Sequence, residues 1–146
     1  MPKTPKKVLE QLKLLLTRSY APYSSFPVAA VIKSRSGRLY GGVNVENAAY
    51  PLSRCAEQSA TMQMVSAGER EIAEVWVLSR GEQPATPCGG CRQVLSEFGH
   101  PEVPVHCLSI DGTELHTTLG ALLPHAFTKQ YLKEQKTKPG AQQTSG

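Results

Sequence analysis

Residues 87–92 read Pro-Cys-Gly-Gly-Cys-Arg, and residues 55–57 read Cys-Ala-Glu. Together the two motifs supply three thiols, those of Cys55, Cys88 and Cys91, and one carboxyl, that of Glu57. Three thiolates can bind a zinc ion and leave one of its four tetrahedral positions free, which is the property of a catalytic zinc site. Glu57 lies two residues after Cys55, so its carboxylate can lie beside that free position. The two motifs therefore predict a catalytic zinc centre.

Each cysteine motif lies at the predicted start of a helix. Cys55 falls in or just before the first turn of a helix that Ser53 would cap and Gly68 would end. Cys88 and Cys91 open a second helix, which Gly99 ends. At a helix N-terminus the backbone N–H groups are unpaired and the helix dipole favours an anion. Two such termini that face one ion would favour the thiolates that a metal requires.

The rest of the chain alternates between strand and helix patterns. An amphipathic helix is predicted over 6–18, a short helical piece over 118–123, and a final helix over 128–134. Apolar, β-branched runs predict strands over 27–33, 38–45, 72–79, 103–109 and 114–117, of which 72–79 is expected to be central. Gly41 and Gly42 are expected to mark a bulge or a close backbone approach. This alternation indicates the α/β class, with a single catalytic domain over 1–134 and a disordered tail over 135–146.

Composition and charge argue against a membrane protein and against a polynucleotide-binding protein. The chain has 146 residues, a hydrophobic fraction of 40% and a net charge of +4. Much of the excess positive charge lies at the two ends of the chain, which favours solvated tails over a nucleic-acid groove. Three of the four cysteines lie in the metal motifs, which is typical of a reducing compartment, and no apolar run is long enough to span a bilayer. We expect a cytoplasmic protein with no membrane or polynucleotide partner.

Five stretches resemble the small, homotetrameric cytidine deaminases of the three-cysteine zinc type. They occur in the family's order between Tyr20 and Phe127, and the zinc motifs also match the general signature of zinc deaminases. The matching stretches are Tyr23-Ser24-Ser25-Phe26-Pro27-Val28, Asn44-Val45-Glu46-Asn47-Ala48-Ala49-Tyr50-Pro51, Cys55-Ala56-Glu57-Gln58, Pro87-Cys88-Gly89-Gly90-Cys91-Arg92-Gln93 and Leu122-Leu123-Pro124 with Phe127.

The resemblance implies a fold, a reaction and an assembly. The fold would be three-layer α/β/α, with a five-stranded mixed sheet flanked by helices. The reaction would be hydrolytic deamination of cytidine and deoxycytidine to uridine and deoxyuridine with release of ammonia, as in pyrimidine salvage. The assembly would be a homotetramer with active sites at subunit boundaries and one Zn²⁺ per chain.

The resemblance also implies residue roles. Cys55, Cys88 and Cys91 would bind zinc, and Glu57 would carry protons. The nucleoside would be bound by Phe26 and Val28 at the base, by Asn44 and Glu46 at the ribose hydroxyls, by the backbone of Ala56 at the pyrimidine edge, and by Phe127 of a neighbouring subunit.

Two arginines flank the cysteines. Three thiolates leave a zinc site negative, which a nearby cation would offset. Arg92 belongs to the family motif and would donate to a thiolate sulfur. Arg54 departs from the small or apolar residue expected there, and we expect it to add positive potential at the metal. Two further residues depart from the family pattern. Ala29 stands where the family usually has Gly, and Gly90 stands where the family often has Ala.

Several alternatives remain at this stage. The cysteines could form a structural zinc site, for which Cys107 is the remaining thiol. The same chemistry could serve a nucleoside antibiotic such as blasticidin S, although the pair Asn44 and Glu46 suits a free ribose. Two further alternative functions are a polynucleotide editor and a zinc-stabilised binding module. His100, His106, His116 and His125 show no metal-ligand spacing.

Overall fold

A computed structural model describes residues 3–137 of the chain. Five strands form one mixed sheet in the order β2-β1-β3-β4-β5. The strands are β1 (Val28–Ser34), β2 (Leu39–Val43), β3 (Ile72–Ser79), β4 (Pro104–Ser109) and β5 (Glu114–Thr118). The pair β3–β4 is parallel, and the pairs β1–β2, β1–β3 and β4–β5 are antiparallel. The predicted mixed sheet with a central third strand is thus confirmed.

The helices are α1 (Lys6–Leu16), α2 (Ala56–Ser66), α3 (Gly89–Phe98), α4 (Leu119–Leu122) and α5 (Lys129–Thr137). A 3₁₀ turn covers Tyr50–Leu52. Helix α5 runs three residues past the predicted end at Glu134. Residues 138–146 of the predicted tail lie outside the described residues. Within residues 3–137, the helices are too short or too polar to cross a bilayer.

Alternate residues of the strands face two separate cores, because successive side chains in a strand point to opposite faces. One face packs on α1, whose buried stripe is Val8, Leu12 and Leu16. The other packs on α2, α3 and α4. Ala29 belongs to the α1 side of the sheet. Its methyl group therefore points away from the α2 side, where the cysteine-bearing helices lie.

Gly42 brings β2 unusually close to α2. A Cβ at Gly42 would lie 2.7 Å from the carbonyl oxygen of Ala56 and 2.9 Å from the carbonyl carbon of Ser59. Real Cβ atoms essentially never approach other atoms so closely. The predicted close approach is confirmed at Gly42, and it holds the start of α2 against the sheet.

Candidate metal centre and active site

Three cysteines meet at two helix starts. Cys55 is the N-cap residue of α2, Cys88 is the N-cap residue of α3, and Cys91 is the third residue of α3. Helix α2 begins two residues later than predicted, since Ser53 instead accepts a hydrogen bond from the backbone N–H of Asn47 at 3.0 Å. Neither cysteine N-cap side chain bonds a backbone N–H of its own helix. The sulfur atoms therefore remain available to one another and to a metal.

The sulfur geometry fits a zinc ion. Sγ of Cys88 lies 3.9 Å from Sγ of Cys55 and 3.4 Å from Sγ of Cys91, and all three sulfurs lie within 4.8 Å of one another. Tetrahedral zinc with Zn–S bonds of ~2.3 Å separates two sulfur ligands by about 3.8 Å. Three soft thiolates in this arrangement suit zinc better than magnesium or calcium, which prefer oxygen. The fourth cysteine, Cys107, is buried in the core between the sheet and α2.

The thiols of Cys55 and Cys91 have pKa values that are shifted in opposite directions. Hydrogen bonding from Cys91 lowers the pKa of the Cys55 thiol to about 6, against the opposing effect of burial, with further help from Cys88 and from the positive charge of Arg54. The same hydrogen bond, together with burial, raises the pKa of Cys91. In the metal-free chain Cys55 therefore carries the negative charge, and Cys91 must lose its proton to bind a metal.

Glu57 is a buried carboxyl next to the cluster. Its side chain lies on the first turn of α2 and only 5% of the residue is exposed. Burial, with a smaller contribution from the negative charge of Cys55, raises the pKa of Glu57 to about 7. A carboxyl with such a pKa exchanges protons readily near neutral pH, which is the property of a general acid–base group.

Glu57 and two of the cysteines line a cavity of about 290 Å³, which is close to the lower end of small-molecule sites. A larger groove of about 780 Å³ runs between α1 and β2, but the cysteine cluster does not line it. The smaller cavity is therefore the candidate active site. The predicted residues that line it are Phe26, Val28, Asn44, Glu46, Cys55, Ala56, Glu57 and Cys88. Its lining also includes Ser24, Val77, Ala85 and Thr86, to which the sequence analysis assigned no site role.

Asn44 and Glu46 are each largely engaged with backbone. The side-chain oxygen of Asn44 accepts from Ser19 Oγ and from the N–H of Val28 at 2.9 Å, and its Nδ2 donates to Phe26 O at 2.9 Å. The Glu46 carboxylate accepts from the N–H groups of Tyr23 and Ser24, both at 3.0 Å, and from the Ser24 hydroxyl. An amide has two N–H donors and a carboxylate about four acceptor positions. One donor on Asn44 and one acceptor position on Glu46 therefore remain for a ligand.

Phe127 lies outside the cavity lining of its own chain. The residue is 59% exposed, and its ring stacks on that of Tyr131 with a centroid distance of 5.4 Å. Gln93 Nε2 donates to the carbonyl oxygen of Phe127 at 2.8 Å. This contact connects the segment that carries Phe127 to α3.

Arg92 does not bond sulfur in the described part of the chain. Its Nε donates to Pro87 O at 2.7 Å, its Nη1 to Leu122 O at 2.8 Å, and its Nη2 to Thr86 Oγ1 at 3.1 Å. The expectation of a bond to a thiolate sulfur is corrected. A guanidinium is rigid and planar, so these three bonds fix its orientation toward backbone and hydroxyl oxygens.

Gln58 makes the sulfur contact instead. Its Nε2 donates to Cys91 Sγ at 3.6 Å. Sequence reasoning missed this role, although the signal was the polar side chain of Gln58 immediately after Glu57 in a helix that begins at the metal. It also missed Ser24, whose hydroxyl accepts from the N–H of Phe26 two residues later, a turn that serines commonly form.

Comparison with known proteins agrees with this site. Residues 2–107 match the family model described as the cytidine and deoxycytidylate deaminase zinc-binding region. A cytidine deaminase of Sporosarcina psychrophila is 40% identical over 86% of this chain and 93% of its own length. One of Mycoplasma genitalium is 36% identical over 84% of this chain and 94% of its own length. The zinc-binding match and the cysteine cluster together assign one Zn²⁺ to each chain.

Solved structures give the same result for the fold. The crystal structure of cytidine deaminase from Burkholderia pseudomallei aligns with a TM-score of 0.81 and 38% identity, covering 86% of this chain and all of that one. The enzyme from Mycobacterium leprae aligns with a TM-score of 0.70 and 36% identity, covering 82% of this chain and 96% of that one. With its fold, its zinc-binding cluster and most of its length shared with these proteins, the chain belongs to the cytidine deaminase family.

Proposed function

We propose that this chain catalyses the zinc-dependent hydrolytic deamination of cytidine and deoxycytidine, giving uridine and deoxyuridine and releasing ammonia. The observation that carries this proposal is a buried carboxyl, Glu57, in one small cavity with thiols of the metal cluster. Support also comes from the relatives, which are named cytidine deaminases. The role of the reaction would be pyrimidine salvage.

Glu57 carries the protons of this reaction. Zinc, when bound, supplies Lewis-acid chemistry that makes a water molecule acidic enough to lose a proton near pH ~7. Glu57 accepts that proton and passes it to N3 of the cytosine ring, which makes C4 more electrophilic. The water oxygen then forms a bond to C4. Glu57 takes the second proton from this oxygen and gives it to the amino group, so the C4–N bond breaks, ammonia leaves and C4 becomes the carbonyl carbon of the product. The burial of Glu57 holds the proton-accepting oxygen out of bulk water.

Asn44 and Glu46 bind the sugar. Their remaining donor and acceptor suit one hydroxyl that accepts from Asn44 Nδ2 and donates to the Glu46 carboxylate. The 3′-hydroxyl, one of the two hydroxyls that cytidine and deoxycytidine share, satisfies both groups, so both nucleosides are substrates. Phe26 and Val28 border the base, and the backbone of Ala56 binds its polar edge.

The assembly would be a homotetramer in which Phe127 enters the site of a neighbouring subunit. Support comes from the exposed rings of Phe127, Tyr20, Tyr23 and Tyr50, which a monomer would leave in water. Sedimentation equilibrium measures the assembly state directly.

We also propose one catalytic domain over 1–134 with a tail after it, and a cytoplasmic location where the thiols stay reduced. Limited proteolysis and cell fractionation test these two points.

Two measurements test the function. Zinc analysis of the purified protein should give one ion per chain, and the ultraviolet absorbance of cytidine should fall as it becomes uridine. The same assay with deoxycytidine, cytosine, CMP, single-stranded DNA and blasticidin S separates the nucleoside enzyme from an antibiotic deaminase or a polynucleotide editor. Zinc without turnover of any cytosine compound would indicate a binding module and overturn the proposal.

A further inference from the structure

The Ser24 hydroxyl lies between the sugar-binding carboxylate and the base-pocket segment. It donates to Oε2 of Glu46 and accepts from the backbone N–H of Phe26 at 3.1 Å. The backbone N–H of the same serine donates to Oε1 of Glu46 at 3.0 Å. One residue therefore contacts both carboxylate oxygens of Glu46 and the backbone of Phe26.

These contacts orient the Glu46 carboxylate. Three donors hold it, and Ser24 supplies two of them, the third being the N–H of Tyr23. The Ser24 hydroxyl, followed by the backbone N–H groups of Ser24 and Tyr23, keeps the pKa of Glu46 below its ordinary value. Glu46 thus stays an ionised acceptor, and it lines the cavity that also contains Glu57.

The same contacts fix the Phe26 backbone. Its N–H is held by Ser24 Oγ, and its carbonyl oxygen is held by Asn44 Nδ2 at 2.9 Å. Ser25, which lies between Ser24 and Phe26 in the chain, adopts a φ of 55°, in the left-handed region that a serine rarely occupies. Such a conformation persists only where its surroundings hold it. The hydrogen bonds of Ser24 and Asn44 hold the residue that follows, and the backbone N–H of Ser25 itself donates to the carbonyl oxygen of Ala21 at 3.1 Å.

We propose that Ser24 is a positioning residue that aims the Glu46 carboxylate at a sugar hydroxyl and so makes the enzyme prefer nucleosides that carry this hydroxyl. The inference rests on the proposed function. Ser24 acts through Glu46 and contacts no reacting atom. Loss of its hydroxyl should weaken recognition of the sugar and leave the chemistry at C4 intact.

The test compares substrates that differ only in the sugar. For Ser24→Ala, kcat/KM with cytidine and 2′-deoxycytidine should fall about tenfold, mainly through a higher KM, because one hydrogen bond to a charged group is lost. With 2′,3′-dideoxycytidine, which lacks the hydroxyl, kcat/KM should change less than about twofold. Ser24→Thr, which keeps a hydroxyl, should restore the preference. Ser36→Ala, in the turn between β1 and β2, is the matched control and should leave all three substrates unchanged.

A second comparison isolates the path through Glu46. If Ser24 acts through this carboxylate, Ser24→Ala should add little to the loss already caused by Glu46→Gln. An equal fall in kcat/KM for all three substrates, or full additivity with Glu46→Gln, would assign Ser24 a merely structural role and overturn the inference. Wild-type protein that deaminates none of these nucleosides would instead refute the proposed function.

Discussion

The side-chain amide of Gln58 donates to the sulfur of Cys91 across the boundary between α2 and α3. The donor belongs to the helix that Cys55 begins, and the acceptor to the helix that Cys88 begins. The bond therefore couples the two halves of the metal cluster. It supplies a neutral donor to a sulfur that must become a thiolate to bind zinc.

Replacing Gln58 should weaken zinc binding. Gln58→Leu removes the donor, and loss of a partner that bonds a metal ligand typically costs about 10–100-fold in metal affinity. Gln58→Glu should weaken binding more than Gln58→Leu does, because a carboxylate repels the thiolate. Competition with a chromophoric chelator measures both affinities. Equal zinc affinity in wild type and both variants would show that the bond has no role at the metal.

The cysteines provide an internal comparison. Cys88→Ser should lose the stoichiometric zinc, since a hydroxyl is a much poorer zinc ligand than a thiolate. Cys107→Ala should keep one zinc per chain, because Cys107 packs in the core and burial raises the pKa of its thiol to about 12. Metal analysis after gel filtration distinguishes the two. Loss of zinc from Cys107→Ala would instead indicate a closed structural site.

Glu57→Gln should keep zinc and lose turnover. The amide is close in size to the carboxyl but cannot accept and release a proton, and positioned proton transfer contributes about 10²–10⁴-fold. The cytidine assay and a zinc count on the same sample test this. Near-normal turnover would refute the assignment of Glu57.

The same substitution should stabilise the zinc-free protein above neutral pH. The pKa of Glu57 is about 7 in the folded chain and 4.5 in the reference state, so the unfolded state loses this proton first as pH rises. The wild type therefore loses stability between about pH 4.5 and 7 relative to Glu57→Gln, by on the order of 3 kcal/mol. The two proteins should be equally stable below pH ~4.5. Urea unfolding at pH 4 and pH 8 measures the difference, and a pH-independent gap would contradict it.

Arg54 should act through its charge. It donates to Ser53 O at 3.0 Å and lowers the pKa of the nearby Cys55 thiol. Arg54→Ala should therefore weaken zinc binding several-fold, while Arg54→Lys, which keeps the charge, should weaken it less. Because Arg54 is exposed, the difference should shrink in ~1 M salt, where the screening length is about 3 Å. A difference that is the same at low and high salt would indicate a packing role.

Gly42 and Gly90 should respond oppositely to alanine. At Gly42 a methyl group would collide with backbone of α2, so Gly42→Ala should lower the free energy of unfolding by about 1–3 kcal/mol or more. At Gly90 the nearest atom to a new Cβ is Gln58 Nε2 at 3.9 Å. Gly90→Ala should therefore raise the free energy of unfolding by about 0.5–1 kcal/mol. Urea unfolding of both variants measures these values. Equal effects would contradict the close approach of β2 to α2.

Local patterns predicted the elements well, because apolar periodicity records which face is buried. Strand β3 was predicted with its observed ends, since the apolar run of Ile72–Ser79 is bounded by Glu71 and Arg80. Helix ends were less accurate. Ser53 has the right chemistry to cap α2, but the hydroxyl instead holds the N–H of Asn47, a choice that depends on how the preceding loop folds back. No local pattern distinguishes these two partners.

The sequence by itself determined the chemistry of this protein: three thiols and one carboxyl in two motifs, each at a predicted helix start, and the alternation that yields an α/β sheet. Only the tertiary structure decided which polar side chain serves which partner. Arg92 bonds three oxygens while Gln58 bonds the sulfur, and Ser24 supports Glu46 from more than twenty residues away. Hydrogen-bond partners depend on distances of a few ångströms between segments that are distant along the chain, and residue order alone does not contain those distances.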